Sequence, residues 1–417
     1  MSNRPEHGPR SPAQARRALL GIGAALFVGL AMVIFLEIMV VRSAREKRAQ
    51  PSATRAPQSA EEEEEIQAPE ITAQSIPAPD ELSLEEKVGQ LLLLTIPRTW
   101  TADDDEAIGT ICPGAVIILK QNVRSRPQVA QLSAELRSVV VAAEAPPPLI
   151  FVDHDGAKDS YLHQIGLTAF PSNATLGRRK SVDAVRNQAE IIADDLRSLD
   201  VDATLAPVLD VLSDPNNTLV GKRSYGPDPE VCAALGAAFV KTLAEGGVVA
   251  CAKHWPGCGA ARPAGEGETA VADVSPEQWR AVHRVPFARA IDAGLLCLMT
   301  ANVAFPALDA SGVAATFSPT IVGGLLRAEL GFEGVVLSHP LQGDSADDLA
   351  HAALRAVSAG VDMIYLDTDP ETQMGVCTRL LQAAQEGQLS ASRLDRSVER
   401  ILELKRKLLT LQQGEQD

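Results

Sequence analysis

Clustered positive charge is what this 417-residue chain most lacks: 38 Lys and Arg stand against 54 Asp and Glu, a formal net charge of −16. Phosphate binding needs concentrated Lys and Arg, so the balance argues against nucleic acid as a partner. Paired cysteines are missing too. Cys112, Cys232, Cys251, Cys258, Cys297 and Cys377 form no CxxC and no metal-finger spacing, and read as mostly buried thiols. A chain this large needs no disulfide staples, so the count leaves the redox compartment open. Residues 42–80 contain no aromatic side chain, but carry five prolines and the acidic run Glu61 to Glu65. Such a composition buries too little apolar surface to fold and reads as a disordered, solvated linker.

Long apolar runs occur once. Ala18 to Val41 is long enough to cross a bilayer and is interrupted only by Glu37 near its end. It is longer than a signal-peptide core, and no small-x-small site follows it. The expectation is a single-pass transmembrane anchor behind a tail of residues 1–17. Arg4, Arg10, Arg16 and Arg17 before the span nearly balance Arg42, Arg45, Lys47 and Arg48 after it, so charge does not fix its orientation. An exported C-terminal domain is the expected arrangement.

Beyond Asp80, short β-rich runs alternate with amphipathic stretches. The runs are Leu91–Ile96, Ala115–Leu119, Leu149–Asp153, Ala203–Leu209, Val248–His254, Leu296–Val303, Val335–His339 and Met363–Asp367. Helical candidates follow near Pro127–Ala142, Val182–Leu199, Pro229–Ala244, Pro276–Ala293, Pro319–Leu330, Ala346–Ala359 and Glu371–Glu386, with Ala391–Leu411 closing the chain. Strand and helix in alternation predict an α/β fold, a single (β/α)8 barrel over residues 81–412. Ser318 before Pro319 reads as a helix N-cap, and Gly331 as its left-handed stop.

Barrels of this kind keep their chemistry at the C-terminal ends of strands. The polar residues there are Asp153, Asp210, Lys253, His254, Asn302, His339 and Asp367, with Arg223 on a turn-rich loop. Asp and Arg with Lys and His donors suit a hydroxyl-rich ligand. Each is also a candidate for an ordinary structural polar group at a strand mouth. The plainest signal is Val249 to Gly259, where an apolar run ends in Lys253-His254 and breaks at Pro256 and Gly257.

That segment, Lys253-His254-Trp255-Pro256-Gly257-Cys258-Gly259, resembles the KHFPGHG loop of family 3 glycoside hydrolases, in their β-N-acetylglucosaminidase and β-N-acetylhexosaminidase branch. Trp255 replaces Phe and Cys258 the second His. The likeness runs from about Leu82 to Leu408 through Val152-Asp153-His154-Asp155-Gly156, Ala206-Pro207-Val208-Leu209-Asp210-Val211, Arg223-Ser224-Tyr225-Gly226 and Leu330-Gly331-Phe332-Glu333-Gly334. The resemblance implies a barrel without cofactor. It also implies that Asp153, Arg223, Lys253 and His254 grip a sugar ring, with the family's further grip arginine aligning near Tyr161.

The same resemblance marks two departures. The family's nucleophilic Asp follows the serine that ends a strand, and Val335-Val336-Leu337-Ser338-His339 places His339 there. The family's proton donor is a loop His held by an Asp; by count from Lys253 it falls on Glu266, with Ala264 at the Asp position. Glu266 and Glu268 could donate a proton if burial raised their pKa values, but Gly-flanked Glu residues on a loop are more often solvated. Asp347 and Asp348 read as the start of the next helix rather than as a displaced nucleophile. The leading expectation is therefore a catalytically inactive, membrane-anchored barrel that binds amino-sugar or peptidoglycan-derived glycans. The alternatives are an active β-N-acetylhexosaminidase with a rebuilt catalytic pair, and a metal-dependent hydrolase in which Asp153, His254 and His339 share an ion.

Overall fold

The computed structural model describes residues 71–155, 160–262, 265 and 268–414. The expected anchor, residues 18–41, and most of the linker lie outside them. Among the described residues no helix is long and apolar enough to cross a membrane.

Among the described residues ten strands appear in chain order: β1 Leu92–Thr95, β2 Ala115–Ile117, β3 Leu149–Val152, β4 Ala203–Thr204, β5 Val249–Trp255, β6 Ala270–Val271, β7 Cys297–Thr300, β8 Val303–Ala304, β9 Val335–Leu337 and β10 Ile364–Leu366. Eight form one parallel sheet in the order β10-β1-β2-β3-β4-β5-β7-β9. A parallel bridge between Leu337 and Met363 closes it into the expected barrel. The helices are α1 Leu84–Gln90, α2 Ala102–Ile111, α3 Arg126–Ala142, α4 Asn173–Arg179, α5 Val182–Arg197, α6 Pro229–Glu245, α7 over 276–292, α8 Thr320–Glu329, α9 Ala346–Ala359, α10 Pro370–Gln385 and α11 Ala391–Gln413.

Period-two alternation sorts the strand residues between two cores. Leu92 and Leu94 face the helices, whereas Leu93 joins Ile117, Phe151, Cys251, Met299 and Tyr365 inside the barrel. Ile401, Leu404 and Leu408 of α11 plug the barrel floor. The closing helix is thus part of the interior and not only of the outer ring.

Three expectations need correction. The strand read over Ala203–Leu209 ends at Thr204, because Pro207 has no N–H to donate to a ladder, and one bridge from Val208 to Lys253 marks its resumption. Val303, read as the end of the preceding strand, instead belongs to β8, which pairs with β6 in a small sheet outside the barrel. Residues 71–80, read as linker, are ordered as two short 3-10 turns, Ala73–Ser75 and Pro79–Glu81. Ile76 is buried and Ile71 packs on the core. Two isoleucines suffice for this, so the aromatic-free composition that marks residues 42–70 misleads for the last ten. Ser318 and Gly331 behave as read: Ser318 Oγ accepts the Ile321 N–H at 3.0 Å, and Gly331 has φ +66.

Asp362, wholly buried just before β10, binds the floor together. Its carboxylate accepts from Arg327 of α8 at 2.5 Å, from Arg393 and Arg400 of α11 at 3.3 Å, from Ser397 Oγ at 3.0 Å and from the Val336 N–H at 3.0 Å. Removing one partner of a buried ionic cluster strands the others in a medium that solvates them poorly. Asp362→Ala should therefore lower the unfolding free energy by about 3–5 kcal/mol in a denaturant titration, whereas replacing an exposed ion-pair member such as Asp183 should change it little. Ile76→Ala should cost about 2–5 kcal/mol if the 71–80 segment belongs to the folded unit; a loss within error would return that segment to the linker.

Candidate active site

The strand ends of β3, β4 and β5 supply the site. In β5, Lys253 and His254 follow Ala252 with both side chains at the rim, and each meets a carboxylate that follows another strand, Asp153 after β3 and Asp210 beyond β4. Lys253 Nζ lies 2.8 Å from Asp153 Oδ1; the lysine side chain is 5 % exposed and the aspartate 48 %. His254 Nδ1 lies 2.7 Å from Asp210 Oδ2, and Asp210 is wholly buried. Burial by itself would raise the Asp210 pKa, but His254, the Cys258 N–H and Arg223 outweigh it and hold the carboxyl below the usual range. One ion pair is therefore open on its acidic side, and the other is sealed.

Asp210 does more than hold an imidazole. Its Oδ1 accepts the Cys258 N–H at 2.6 Å, which pins the turn after β5, and its carbonyl accepts Ser224 Oγ at 2.6 Å, which pins the Arg223 loop. Gly259 in that turn has no room for a side chain, since a Cβ there would lie 1.6 Å from the Val211 carbonyl oxygen. Trp255 points away from the mouth, donates to the Ile321 carbonyl at 3.1 Å and meets Trp279 and Phe287 edge-on. It anchors β5 to the surrounding helices.

Asp153 is supported in turn by Tyr161, whose hydroxyl accepts the Asp153 N–H at 3.1 Å and donates to the Ile118 carbonyl at 2.6 Å. Where the resemblance implies a grip arginine, the chain has a residue that fixes the Asp153 backbone. Arg223 is exposed and donates to the Leu219 carbonyl at 2.5 Å. Its charge reaches both Asp210 and His339. All four predicted binding residues thus converge on one mouth. Asn302 and Asp367 follow β7 and β10 without entering the contacts that join those four.

His339 follows β9, its backbone N–H donating to Thr300 Oγ1 at 3.3 Å. Its ring lies 6.0 Å from that of His254, and Nδ1 is sealed with no hydrogen-bond partner. Burial, with nearby His254, lowers its pKa to about 4. His154 is lowered to about 4 by the same burial. Glu266, which the resemblance puts at the donor position, lies outside the described residues; Glu268 is exposed and accepts the Gly265 N–H at 3.2 Å. Asp347 sits in the first turn of α9, paired with Arg379 at 2.5 Å, which agrees with its reading as a helix start.

The metal trio expected from sequence differs from the one that assembles. Asp210, His254 and Cys258 bring one ligand atom each within 4.8 Å of one another, while Asp153 is engaged with Lys253. Both Asp210 oxygens in this trio already accept protein N–H groups, and burial next to Asp210 raises the Cys258 thiol well above its ordinary pKa. In this trio Asp210 is thus already committed to His254 and to the Cys258 backbone.

A sequence model of the Glycosyl hydrolase family 3 N terminal domain matches residues 83–404. The chain belongs to glycosyl hydrolase family 3. A β-hexosaminidase of Nitrosomonas eutropha is 32 % identical over 302 residues, 70 % of this chain and 84 % of that protein. One from Chromobacterium violaceum is 33 % identical over 269 residues, 62 % of this chain and 72 % of its own. Among solved structures, a family 3 β-N-acetylglucosaminidase from Paenibacillus superposes with a TM-score of 0.75 at 34 % identity, covering 78 % of this chain and 63 % of that one. The chain is thus a family 3 β-hexosaminidase-like hydrolase, in the branch read from its motifs.

The pKa shifts have a sign that can be checked. A histidine whose folded pKa lies near 4 takes up its proton more readily when unfolded, near 6.5, so stability falls as pH drops from about 6.5 toward 4. The imidazole NMR signals of His339 and His154 should show no titration between pH 8 and pH 5. A midpoint near 6.5 for either ring would contradict its burial.

Proposed function

We propose that the chain is a glycoside hydrolase of the β-hexosaminidase type, taking a terminal N-acetylated amino sugar at the barrel mouth. The observation that carries the reading is the double pairing of β5: Lys253 on the half-exposed Asp153, and His254 on the sealed Asp210. The first pair offers a charged acceptor and donor to adjacent ring hydroxyls. The second commits His254 Nδ1 to Asp210 and leaves Nε2 for the ligand, the arrangement by which a carboxylate orients an imidazole for proton transfer. The β-hexosaminidase names of its relatives support an amino-sugar substrate.

Glycoside hydrolysis needs a proton for the leaving oxygen and a nucleophile at the anomeric carbon. His254, or Glu266 beyond the described residues, serves the first need. For the second, the strand-end position holds the uncharged His339 in place of a carboxylate. An N-acetylated substrate carries an oxygen of its own on the 2-acetamido group, as substrate-assisted glycosidases use. The hydrolase reading therefore requires that group. One observation favours a second reading, binding without turnover: a neutral His339 supplies no negative charge to an oxocarbenium-like transition state. Placement of the barrel on the exported side of a membrane, anchored by residues 18–41, is part of the proposal and is tested by export-dependent reporters fused after Asp417.

Turnover of a chromogenic β-N-acetylglucosaminide, set against the matching β-glucoside, separates the readings. Hydrolysis of the N-acetylated substrate alone, reduced on the order of 10²–10⁴-fold in His254→Ala, supports the first. No turnover but calorimetric binding of N-acetylglucosamine, weakened about one to two decades in Arg223→Ala and in Lys253→Ala, supports the second. Neither turnover nor binding at millimolar sugar would sink both.

A further inference from the structure

We propose that Cys251 and Cys297 form a disulfide site inside the barrel, closed by exchange with a disulfide-bearing oxidant while the strands assemble. The two residues are direct register partners on the adjacent parallel strands β5 and β7. Neighbouring strands run about 4.7–4.9 Å apart, within the roughly 4.4–6.8 Å that a disulfide spans between Cα atoms. Their Sγ atoms are already 3.1 Å apart. Both side chains face the barrel interior, wholly buried among Val249, Met299 and Val335.

Three of the other four cysteines face backbone carbonyls. Cys112 and Cys232 donate to backbone carbonyls at 3.2 and 3.3 Å, and Cys258 lies against the His254 carbonyl at 4.0 Å. Cys251 and Cys297 have each other. Each is held on a strand whose register fixes its partner, so little conformational freedom remains to be lost when the bond forms.

The chemistry balances as two exchanges. The Cys251 thiolate attacks the oxidant's disulfide, forming a mixed disulfide and releasing one thiol. The Cys297 thiolate then attacks the Cys251 sulfur and releases the second. The protein's two thiols lose two protons and two electrons, and the oxidant's disulfide gains them. In the finished barrel neither sulfur meets solvent, so exchange belongs to assembly, before the interior closes. The bond would lie two residues below Lys253 on the same face of β5, tying β5 to β7 beneath the mouth and joining residues 46 positions apart in the chain.

The test uses the full chain refolded in a buffer of oxidised and reduced small-molecule thiol, then unfolded in denaturant with an alkylating reagent and weighed. A disulfide leaves four of the six cysteines alkylated, and proteolysis yields a reductant-sensitive peptide joining the Cys251 and Cys297 segments. Cys251→Ser should instead leave all five of its cysteines alkylated. Full alkylation of the wild-type chain, after circular dichroism has shown it to be folded, overturns the proposal. So does a bridge between any other pair.

Discussion

A single buried carboxylate, Asp210, ties together three parts of the barrel mouth. Its two oxygens and its carbonyl hold the His254 ring, the turn after β5 and the loop carrying Arg223. An anion in a low-dielectric setting tolerates burial only when its lone pairs are met by donors, and those donors here are the groups that shape the mouth. Without it, His254 would lose its orientation and Arg223 its anchor, even though Asp210 itself is sealed from any ligand.

Charge is used differently at the two ends of the barrel. At the floor, Asp362 is surrounded by three arginines, and Asp202 pairs with Arg137 at 2.7 Å while accepting the Ile150 N–H at 2.8 Å. These clusters fasten helices to strands. At the mouth the pairing is lopsided: Lys253 is buried and Asp153 half-exposed, so one partner remains available to a ligand. An ion pair satisfied within the protein serves packing, whereas one left open toward solvent can be completed by substrate hydroxyls. His339 stands apart from both patterns, with its Nδ1 sealed and unpartnered just beyond the end of β9.

Much of this was legible in the chain before folding. The eight apolar runs locate all eight barrel strands, and the break after Lys253-His254 marks the site, because strand periodicity and turn chemistry are local properties. The residues that were not legible act at a distance. Asp210 is one polar rim residue among several in the sequence, and nothing local singles it out, since its partners lie 14 to 48 residues away. Tyr161 aligns with an arginine in the resemblance, and its support of Asp153 is a contact eight residues away that no local pattern announces. Packing rather than composition orders the 71–80 segment: its two 3-10 turns lie against α11, and Ile76 between them is buried in the core.

Period-two hydrophobicity and the alternation of strands with helices are properties of chain order, and they determine the barrel; its family is carried by local motifs such as Lys253-His254-Trp255-Pro256-Gly257. Which carboxylate meets which cation is not. Lys253 and His254 are neighbours in sequence, yet one faces Asp153 on β3 and the other Asp210 beyond β4, because the curvature of a closed barrel brings residues from successive strands to one mouth. The same closure places Cys251 beside Cys297 and seals the His339 nitrogen away from a partner. Burial and partner geometry set protonation, and both exist only after the sheet has closed on itself.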